Sequence, residues 1–422
     1  MIYRVAWLIN PGQEPRQNVR ISTENGIVTE ICDVPPDERS QIQPVAMLPP
    51  FVNAHTHLEF SDIRSPLSPA QPFTDWIAAV MAHRRSRTEP ADTVTAVRDG
   101  LSECRESGVT LIGEISTSDP GRITLREASV ADCFNGTVVD FAELIGWSDD
   151  RIANQLQFAR AHLASGEGGQ HFPAGRHSAG DPVVGRRILP GLSPHAPYTV
   201  HPELLEGAVS LAAEYGASVA MHIAETADEL EFLDRQSGPF RSLLEQVGVY
   251  RDGAIGPGTT PLRYLQMLAA APRALAIHGN WYSDREIQFL AKTPRIVTVY
   301  CPRTHRYFGH SPHPWRKLAA AGAAVILGTD SRASNPDLCI WQELQTVAQH
   351  AQSPPVWELL SMITTNAATA LGFNKDDWTI QVGHKLRAQT LPAPCTTLAQ
   401  LQHHLSRDLN LNGTSISRQP FL

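Results

Sequence analysis

The sequence lacks long apolar runs, a secretory leader and paired cysteines. No window of about 18 uninterrupted apolar residues occurs, so we expect no membrane span. The N-terminus has no basic segment followed by a long apolar core, and Pro11 interrupts its first apolar stretch. The 6 cysteines are scattered without a CxxC pair, which fits reduced thiols better than a disulfide framework. These absences predict a cytoplasmic protein without membrane contact.

Positive charges are fewer than negative charges, with 35 Lys and Arg against 43 Asp and Glu, which gives a formal net charge of -8. Phosphate binding needs clustered lysine and arginine, so we expect no broad nucleic-acid-binding surface. A small molecule, including a nucleotide or nucleoside, remains compatible as a substrate. With 42% hydrophobic and 18% charged residues, the 422-residue chain is an ordinary globular protein, long enough for a large barrel with an appended small domain.

Short apolar runs alternate with longer stretches of helical spacing. The runs are rich in Val, Ile, Leu and Ala and cover 47–55, 109–115, 136–144, 187–195, 217–225, 273–280, 295–302 and 323–330. Helical spacing marks 93–107, 202–215, 260–271 and 336–350. In the second of these, Leu204, Leu205 and Ala208 share one helical face. The alternation predicts a closed parallel barrel or a doubly wound open sheet.

Polar residues at the C-terminal ends of these runs decide between the two folds. They are His55, His57, Glu114, Glu143, His195, His222, His278 and Asp330. A barrel brings the ends of its strands to one rim, where catalytic groups converge. An open sheet would spread eight such groups along a line. We therefore predict a (β/α)₈ TIM barrel over residues 49–372.

The flanking segments, 1–48 and 373–422, do not continue the alternation. The first reads as short β segments separated by turns at Pro11-Gly12 and Asn25-Gly26. The second has a candidate strand near 378–382 and a polar tail. We predict that the two segments together form a small β domain. The glycine-rich stretch 165–186 is predicted to be a surface insert before the fourth barrel strand.

His55-Thr56-His57 ends the first apolar run. Residues i and i+2 of an extended segment point to the same side, so both imidazoles can face one ion. Taken singly, such histidines are more often structural, and Asp330 could simply cap a helix. The histidine pair, His222 with Glu225 three residues later, His278 and Asp330 nevertheless end four runs in order. Their joint occurrence predicts a metal site.

The segments PPFVNAHTHLE, MHIAET, AIHGN and LGTDSRASN resemble signatures of the amidohydrolase superfamily. The resemblance spans residues 49 to about 372 and is to the deaminase and chlorohydrolase branch, which includes guanine, cytosine, S-adenosylhomocysteine and aminofutalosine deaminases and triazine hydrolases. It implies one divalent metal, zinc with Fe²⁺ or Mn²⁺ as alternatives, bound by His55, His57, His222 and Asp330. Superfamily members with two metals use a carboxylated lysine at the end of strand four, where this chain has His195, so we predict a mononuclear site.

The resemblance also implies catalytic roles for Glu225, His278 and Asp330. Asp330 would accept a proton from a metal-bound water that His278 orients, and Glu225 would protonate a ring nitrogen of the substrate. The candidate substrate-binding residues are His195, Arg303 and Glu114. For Arg303 the alternative is bracing its own loop, and for Glu114 it is a buried salt bridge.

The substrate is less well defined by the sequence. Thr304-His305 departs from the Pro-x-Ser-Asn pattern that is common in this branch. We predict deamination of an amino-substituted heterocycle, a nucleobase or nucleoside, by metal-bound hydroxide. Dechlorination of a triazine-like ring or opening of a cyclic amide would need the same hydroxide, but Glu225 favours a leaving group that must be protonated. A non-catalytic scaffold is the third alternative, which the complete ligand set disfavours.

Similar proteins are commonly homo-oligomers, and no residue here decides the oligomeric state.

Overall fold

A computed structural model of the chain describes residues 1–87, 89–126, 132–165, 187–350, 352–409 and 411. Across these ranges, none of the helices combines the length and the apolar character that a membrane crossing requires. Except for Ser165, the predicted surface insert at 165–186 lies outside the described residues. The end of the polar tail, beyond residue 411, lies outside them as well.

Eight parallel strands in chain order form the main sheet. They are β5 Phe51–Thr56, β6 Val109–Ser116, β7 Thr137–Leu144, β8 Arg187–Pro194, β9 Ser218–Ile223, β10 Arg273–His278, β11 Ile296–Tyr300 and β12 Val325–Leu327. All eight lie within or overlap the predicted apolar runs. The (β/α)₈ barrel prediction is confirmed.

The barrel closes between its first and last strands. A bridge joins Thr56 to Asp330, and the backbone N–H groups of Thr329 and Asp330 both donate to the carbonyl oxygen of His55 at 3.0 Å. The side chain of Asn53 adds two hydrogen bonds with Thr329, at 2.8 and 3.1 Å. A β-carbon at Gly328 would lie 2.7 Å from the β-carbon of His55, so only glycine allows this close approach. The seam therefore places the ends of β5 and β12 side by side.

Helices surround the barrel and fill its connections. They are α1 Phe73–Ser86, α2 Pro90–Glu106, α3 Asp119–Arg126, α4 Asp149–Ala164, α5 Pro202–Tyr215, α6 Ala227–Arg235, α7 Pro239–Gln246, α8 Pro261–Leu268, α9 Asp284–Ala291, α10 Pro302–Tyr307, α11 Trp315–Ala320, α12 Ile340–Ala348, α13 Val356–Leu359, α14 Thr365–Ala370 and α15 Leu398–His403. The predicted helix at 202–215 has the bounds of α5. That at 336–350 begins later, at Ile340, because the preceding residues form turns around Asp330.

A second sheet has five strands, which come from the chain segments before and after the barrel. β1 Ile2–Leu8, β2 Arg16–Glu24, β3 Ile27–Asp33 and β4 Gln43–Leu48 come from the N-terminal segment, and β13 Gln389–Pro392 pairs antiparallel with β4. This arrangement confirms the small β domain. The predicted strand near 378–382 is wrong, because the backbone N–H and C=O of Ile380 are hydrogen-bonded to the side chain of Asn10 at 2.9 Å rather than to a neighbouring strand.

The two faces of the barrel strands pack into different clusters. Val52, Leu275 and Val299 belong to a cluster that also includes residues after α14, such as Phe373 and Trp378. Phe51 and other residues of the opposite face belong to the larger cluster with the surrounding helices. Both faces are mainly apolar along the strands, with exceptions such as Asn53 and Asp140, and the polar residues predicted for the site lie at or near the strand ends. The candidate site lies there.

Candidate active site

Four side chains at the strand ends lie close to one another. They are His55 on β5, His57 just after it, His222 on β9 and Asp330 after β12. Oδ1 of Asp330 lies 3.5 Å from Nε2 of His55 and 3.7 Å from Nε2 of His57. Nε2 of His57 lies 3.4 Å from Nε2 of His222. Ligand atoms about 2.0–2.1 Å from a tetrahedral ion are about 3.3–3.4 Å apart, so this spacing fits a single ion.

The chemistry of these donors also fits a metal. Among the described residues, neither ring nitrogen of His55 nor Nδ1 of His57 has a hydrogen-bond partner, although both side chains are buried. Burial lowers the pKa of both imidazoles to about 3, and the charge of His55 adds to the effect on His57. The rings are therefore neutral, with lone pairs available to a cation. Buried polar atoms without partners are costly, and a bound ion would take the lone pair of one nitrogen of each ring.

Hydrogen bonds outside this cluster orient two of its members. Nδ1 of His222 donates to the carbonyl oxygen of His195 at 3.1 Å, which leaves Nε2 to face the other three side chains. Oδ1 of Asp330 accepts from the backbone N–H of Ser331 at 2.7 Å, and Oδ2 accepts from the hydroxyl of Ser334 at 3.1 Å. The Ser334 hydroxyl is in turn 3.0 Å from that of Thr304. The sequence had suggested no role for Ser334.

His278 and Glu225 lie beside the cluster. Nε2 of His278 is 3.3 Å from Oε1 of Glu225, and ligand atoms of His278, His55 and His222 lie within 4.8 Å of one another. Ala224, His278 and Asp330 have positive φ values of 52°, 72° and 59°. Such backbone is uncommon outside glycine and concentrates at functional sites. The surrounding packing thus holds the site in a strained conformation.

Hydrogen bonds hold both the N–H and the C=O of the Glu225 backbone. Its N–H donates to Oε2 of Glu229 at 2.9 Å, and its C=O accepts from Nδ2 of Asn280 at 3.0 Å. Oδ1 of Asn280 is in turn 3.1 Å from Nδ1 of His305. Burial, followed by the charges of Asp330 and Glu229, raises the pKa of the Glu225 carboxyl well above its usual range. Burial therefore favours the protonated form of Glu225. His305, one of the two residues that depart from the branch pattern, supports this network.

His195 lies next to His222, with ring centroids 5.1 Å apart, and 23% of its side chain is exposed. Its Nδ1 is 2.6 Å from the hydroxyl oxygen of Thr199, and its Nε2 is 4.0 Å from Oε1 of Glu143. Burial, with the charges of His222 and Arg84, lowers the pKa of His195 well below its usual range. A neutral imidazole thus faces the opening beside the cluster.

The two remaining predicted site residues have protein partners. Both carboxylate oxygens of Glu114 accept from the backbone N–H of Leu58 at 3.0 Å. The guanidinium of Arg303 lies 2.6 Å from Oε1 of Glu343 and 2.6 Å from Oδ1 of Asp337. The structure does not bring these two side chains into the histidine cluster. The contacts of Arg303 match the bracing alternative, whereas Glu114 is hydrogen-bonded to the backbone and not in the buried salt bridge considered as its alternative.

Comparison with known proteins agrees with this geometry. Residues 46–385 match the profile of the amidohydrolase family. The 5-methylthioadenosine/S-adenosylhomocysteine deaminase of Pelotomaculum thermopropionicum is 28% identical over 347 residues, which cover 80% of this chain and 70% of that protein.

Two solved structures share the fold. Helicobacter pylori aminofutalosine deaminase in complex with methylthio-coformycin has a TM-score of 0.76 and 18% identity, with 96% of each chain covered. The atrazine chlorohydrolase of Arthrobacter aurescens complexed with zinc has a TM-score of 0.72 and 18% identity, with 96% of this chain and 91% of that chain covered. The protein belongs to the amidohydrolase family and is a hydrolase of carbon–nitrogen bonds other than peptide bonds.

Proposed function

We propose that this protein is a mononuclear metal-dependent deaminase of an adenosine-like nucleoside. The reaction replaces the exocyclic amino group of the ring with a carbonyl and releases ammonia. The observation that carries this proposal is the buried Glu225, whose carboxylate lies 3.3 Å from His278 beside the histidine cluster and whose pKa is raised by burial. The substrates named for the curated relative, methylthioadenosine and S-adenosylhomocysteine, support an adenine nucleoside as the substrate class.

We assign His55, His57, His222 and Asp330 as the ligands of one divalent ion, zinc, with Fe²⁺ and Mn²⁺ as alternatives. Their spacing and their unpartnered, neutral imidazoles support this assignment. A divalent ion at this position supplies a nucleophile at neutral pH, because it lowers the pKa of a coordinated water to about 7.

The protein's own groups move the protons. Glu225 donates its proton to the ring nitrogen next to the carbon under attack, which makes that carbon more electrophilic. Asp330 accepts a proton from the attacking water through a carboxylate that Ser331 and Ser334 hold in place. The neutral imidazole of His278 orients the water by hydrogen bonding, and its Nε2 also contacts Glu225. The proton held by Asp330 converts the departing amino group to ammonia, and the proton from Glu225 stays on the ring nitrogen. The second proton of the water returns to Glu225 as the ring carbonyl forms, so the reaction consumes one water.

The other predicted residues take different roles in this proposal. We assign His195 as a substrate contact. Its partly exposed ring beside His222 supports this role. Glu114 and Arg303 act as positioning residues. Glu114 fixes the backbone just after His57, and Arg303 neutralises Glu343, which also accepts a hydrogen bond from Asn335 next to the Asp330 turn.

We further propose a cytoplasmic enzyme that acts on a small molecule rather than on nucleic acid or a membrane. The net charge of -8 and the 6 cysteines, all free in the structure, support this setting. Homo-oligomerisation is expected by analogy with similar proteins.

Ammonia release tests the proposal. The zinc-loaded protein is assayed against adenosine, 5-methylthioadenosine and S-adenosylhomocysteine, together with adenine, a chlorotriazine and a cyclic amide. Deamination of at least one adenine nucleoside is the expected result. Chloride release or ring opening without ammonia from any aminated ring would instead establish the alternative hydrolysis at the same metal. No turnover of any compound, by protein that holds about one zinc per chain, would favour a scaffold.

A further inference from the structure

Glu143 is a buried carboxylate that the proposed mechanism does not use. It lies at the C-terminal end of β7, and only 8% of its side chain is exposed. Within the described residues its carboxylate accepts no hydrogen bond, and its one ion-pair-range contact is with Nε2 of the neutral His195 at 4.0 Å, whereas the charges of Arg84, Glu59 and Arg122 act on it from beyond that distance. An ionised carboxylate without partners is costly to bury. Its position therefore calls for an explanation other than stability.

The other buried glutamates near the site have partners. Glu229 accepts from two backbone N–H groups, Glu114 accepts from Leu58, and Glu59 accepts from Thr117 and Ser118. Against this pattern Glu143 is the exception. Carboxylates at the rim of a barrel that the protein leaves unpaired are available to a ligand.

The position of Glu143 relative to the metal ligands suggests which part of a ligand it would meet. The ring of His195 lies between Glu143 and His222, so Glu143 is one imidazole away from the cluster. A base whose reacting carbon lies at the cluster places its sugar farther out on the rim. Glu143 is thus placed for the sugar rather than for the ring that reacts.

The surrounding charges decide the chemistry of the group that Glu143 takes. Burial is the main cause of the pKa shifts of Glu143, His195 and His57, and the positive charge of Arg84 contributes to each of them. Arg122 adds a second positive charge near Glu143 and Glu59 adds a negative one, so a cationic group would meet the arginines and an anionic group would meet the carboxylates. Neutral hydrogen-bond donors fit both neighbours. Two adjacent hydroxyls match the two acceptor oxygens of a carboxylate.

We propose that Glu143 accepts hydrogen bonds from the sugar hydroxyls of the substrate, so that the enzyme selects nucleosides over free bases and over sugars without these hydroxyls. This inference rests on the proposed deaminase function and adds a specificity-determining residue to it. His195 completes the subsite from the side that faces the metal ligands.

The test compares two substrates and three variants of the zinc-loaded enzyme. The substrates are the adenine nucleoside that the wild type deaminates best and its 2′,3′-dideoxy counterpart. The variants are Glu143→Gln, Glu143→Leu and, as a matched control, Glu206→Gln, which changes an exposed carboxylate on α5. Zinc content and thermal unfolding confirm that each variant is folded and loaded.

For the wild type, loss of the hydroxyls should lower kcat/KM by about 10- to 100-fold, the usual value of hydrogen bonds to a charged group. Glu143→Leu should lower kcat/KM for the nucleoside by a similar factor, mainly through KM, and leave the dideoxy substrate unchanged. Glu143→Gln, which keeps one acceptor oxygen, should fall between, and Glu206→Gln should match the wild type.

Equal losses on both substrates in the Glu143 variants would overturn the inference, because a structural effect does not depend on the hydroxyls. A wild type that deaminates adenine but no nucleoside would overturn it together with the nucleoside part of the proposed function, while metal-dependent deamination of an aminated ring would stand. A wild type that releases ammonia from no aminated ring would remove the proposed function and this inference together.

Discussion

Replacement of Glu143 by glutamine has an effect on stability that depends on pH. Burial raises the pKa of this carboxyl from its usual value of 4.5 to about 7 in the folded protein. The ionised form is therefore less favourable in the folded state than in the unfolded state. The penalty is absent below the unfolded pKa, grows as the pH rises from 4.5 towards 7, and is complete above that value. Glutamine carries no charge at any pH and avoids this penalty.

The size of the effect follows from the shift. At about 1.4 kcal/mol per pKa unit, the ionised carboxylate costs about 1 kcal/mol at pH 5 and about 3 kcal/mol at pH 8. Packing differences between the two side chains are the same at both pH values and cancel in the comparison. We expect the free energy of unfolding of Glu143→Gln, relative to that of the wild type, to rise by about 2 kcal/mol between pH 5 and pH 8.

Urea unfolding followed by tryptophan fluorescence at the two pH values measures this gain. Glu206→Gln, at an exposed position, controls for the loss of one negative charge and should show no change between the two conditions. If the stability difference between Glu143→Gln and the wild type were the same at pH 5 and pH 8, the carboxylate would be solvated or paired in the folded protein. The reasoning from its burial would then be refuted.

Further predictions concern the groups around the metal ligands. Glu225→Gln should keep about one zinc per chain by elemental analysis yet lose about 10²–10⁴-fold in kcat, since it removes the general acid; normal turnover would exclude that role. Ser334→Ala should weaken zinc binding by about 10-fold in chelator competition, because Asp330 loses a supporting hydrogen bond; unchanged affinity would count against this support. Arg303→Met should lower the free energy of urea unfolding at pH 7 by about 3–5 kcal/mol, because it leaves buried Glu343 unpaired, and a loss confined to KM would restore Arg303 as a substrate contact.

The sequence predicted those parts of the fold that depend on local patterns of residues. Each barrel strand is a short apolar run, and its polar end residue lies next to it in the chain, so the barrel and a metal site at its rim followed from spacing. The choice of His55, His57, His222 and Asp330 as ligands came from the resemblance to the amidohydrolase superfamily. The candidate strand near 378–382 failed because the backbone of Ile380 is bonded to Asn10, which lies at the other end of the chain. No local pattern carries such a contact.

The supporting residues of the site were missed for a similar reason. Glu229 lies three residues after the helix N-cap Thr226, so the T-x-x-E spacing in ETADE could have suggested that its carboxylate turns back to the backbone of Glu225. Ser334 lies four residues after Asp330, so its hydrogen bond is also local. Asn280 acts through a tertiary hydrogen bond, which no local pattern shows. The sequence also could not show that Glu143 lacks a partner while Arg303 has two, because pairing depends on which elements pack together.

The seam of the barrel has a consequence for the order in which the protein is made and loaded. His55 and Asp330 lie on opposite sides of that seam, joined through hydrogen bonds between residues 274 to 276 positions apart in the chain. A nascent chain that has not yet reached residue 330 carries only three of the proposed ligands. Tight metal uptake therefore has to wait until the last strand is synthesised and docked against the first. A bound ion would then stabilise only the completed ring of strands and would act against its opening.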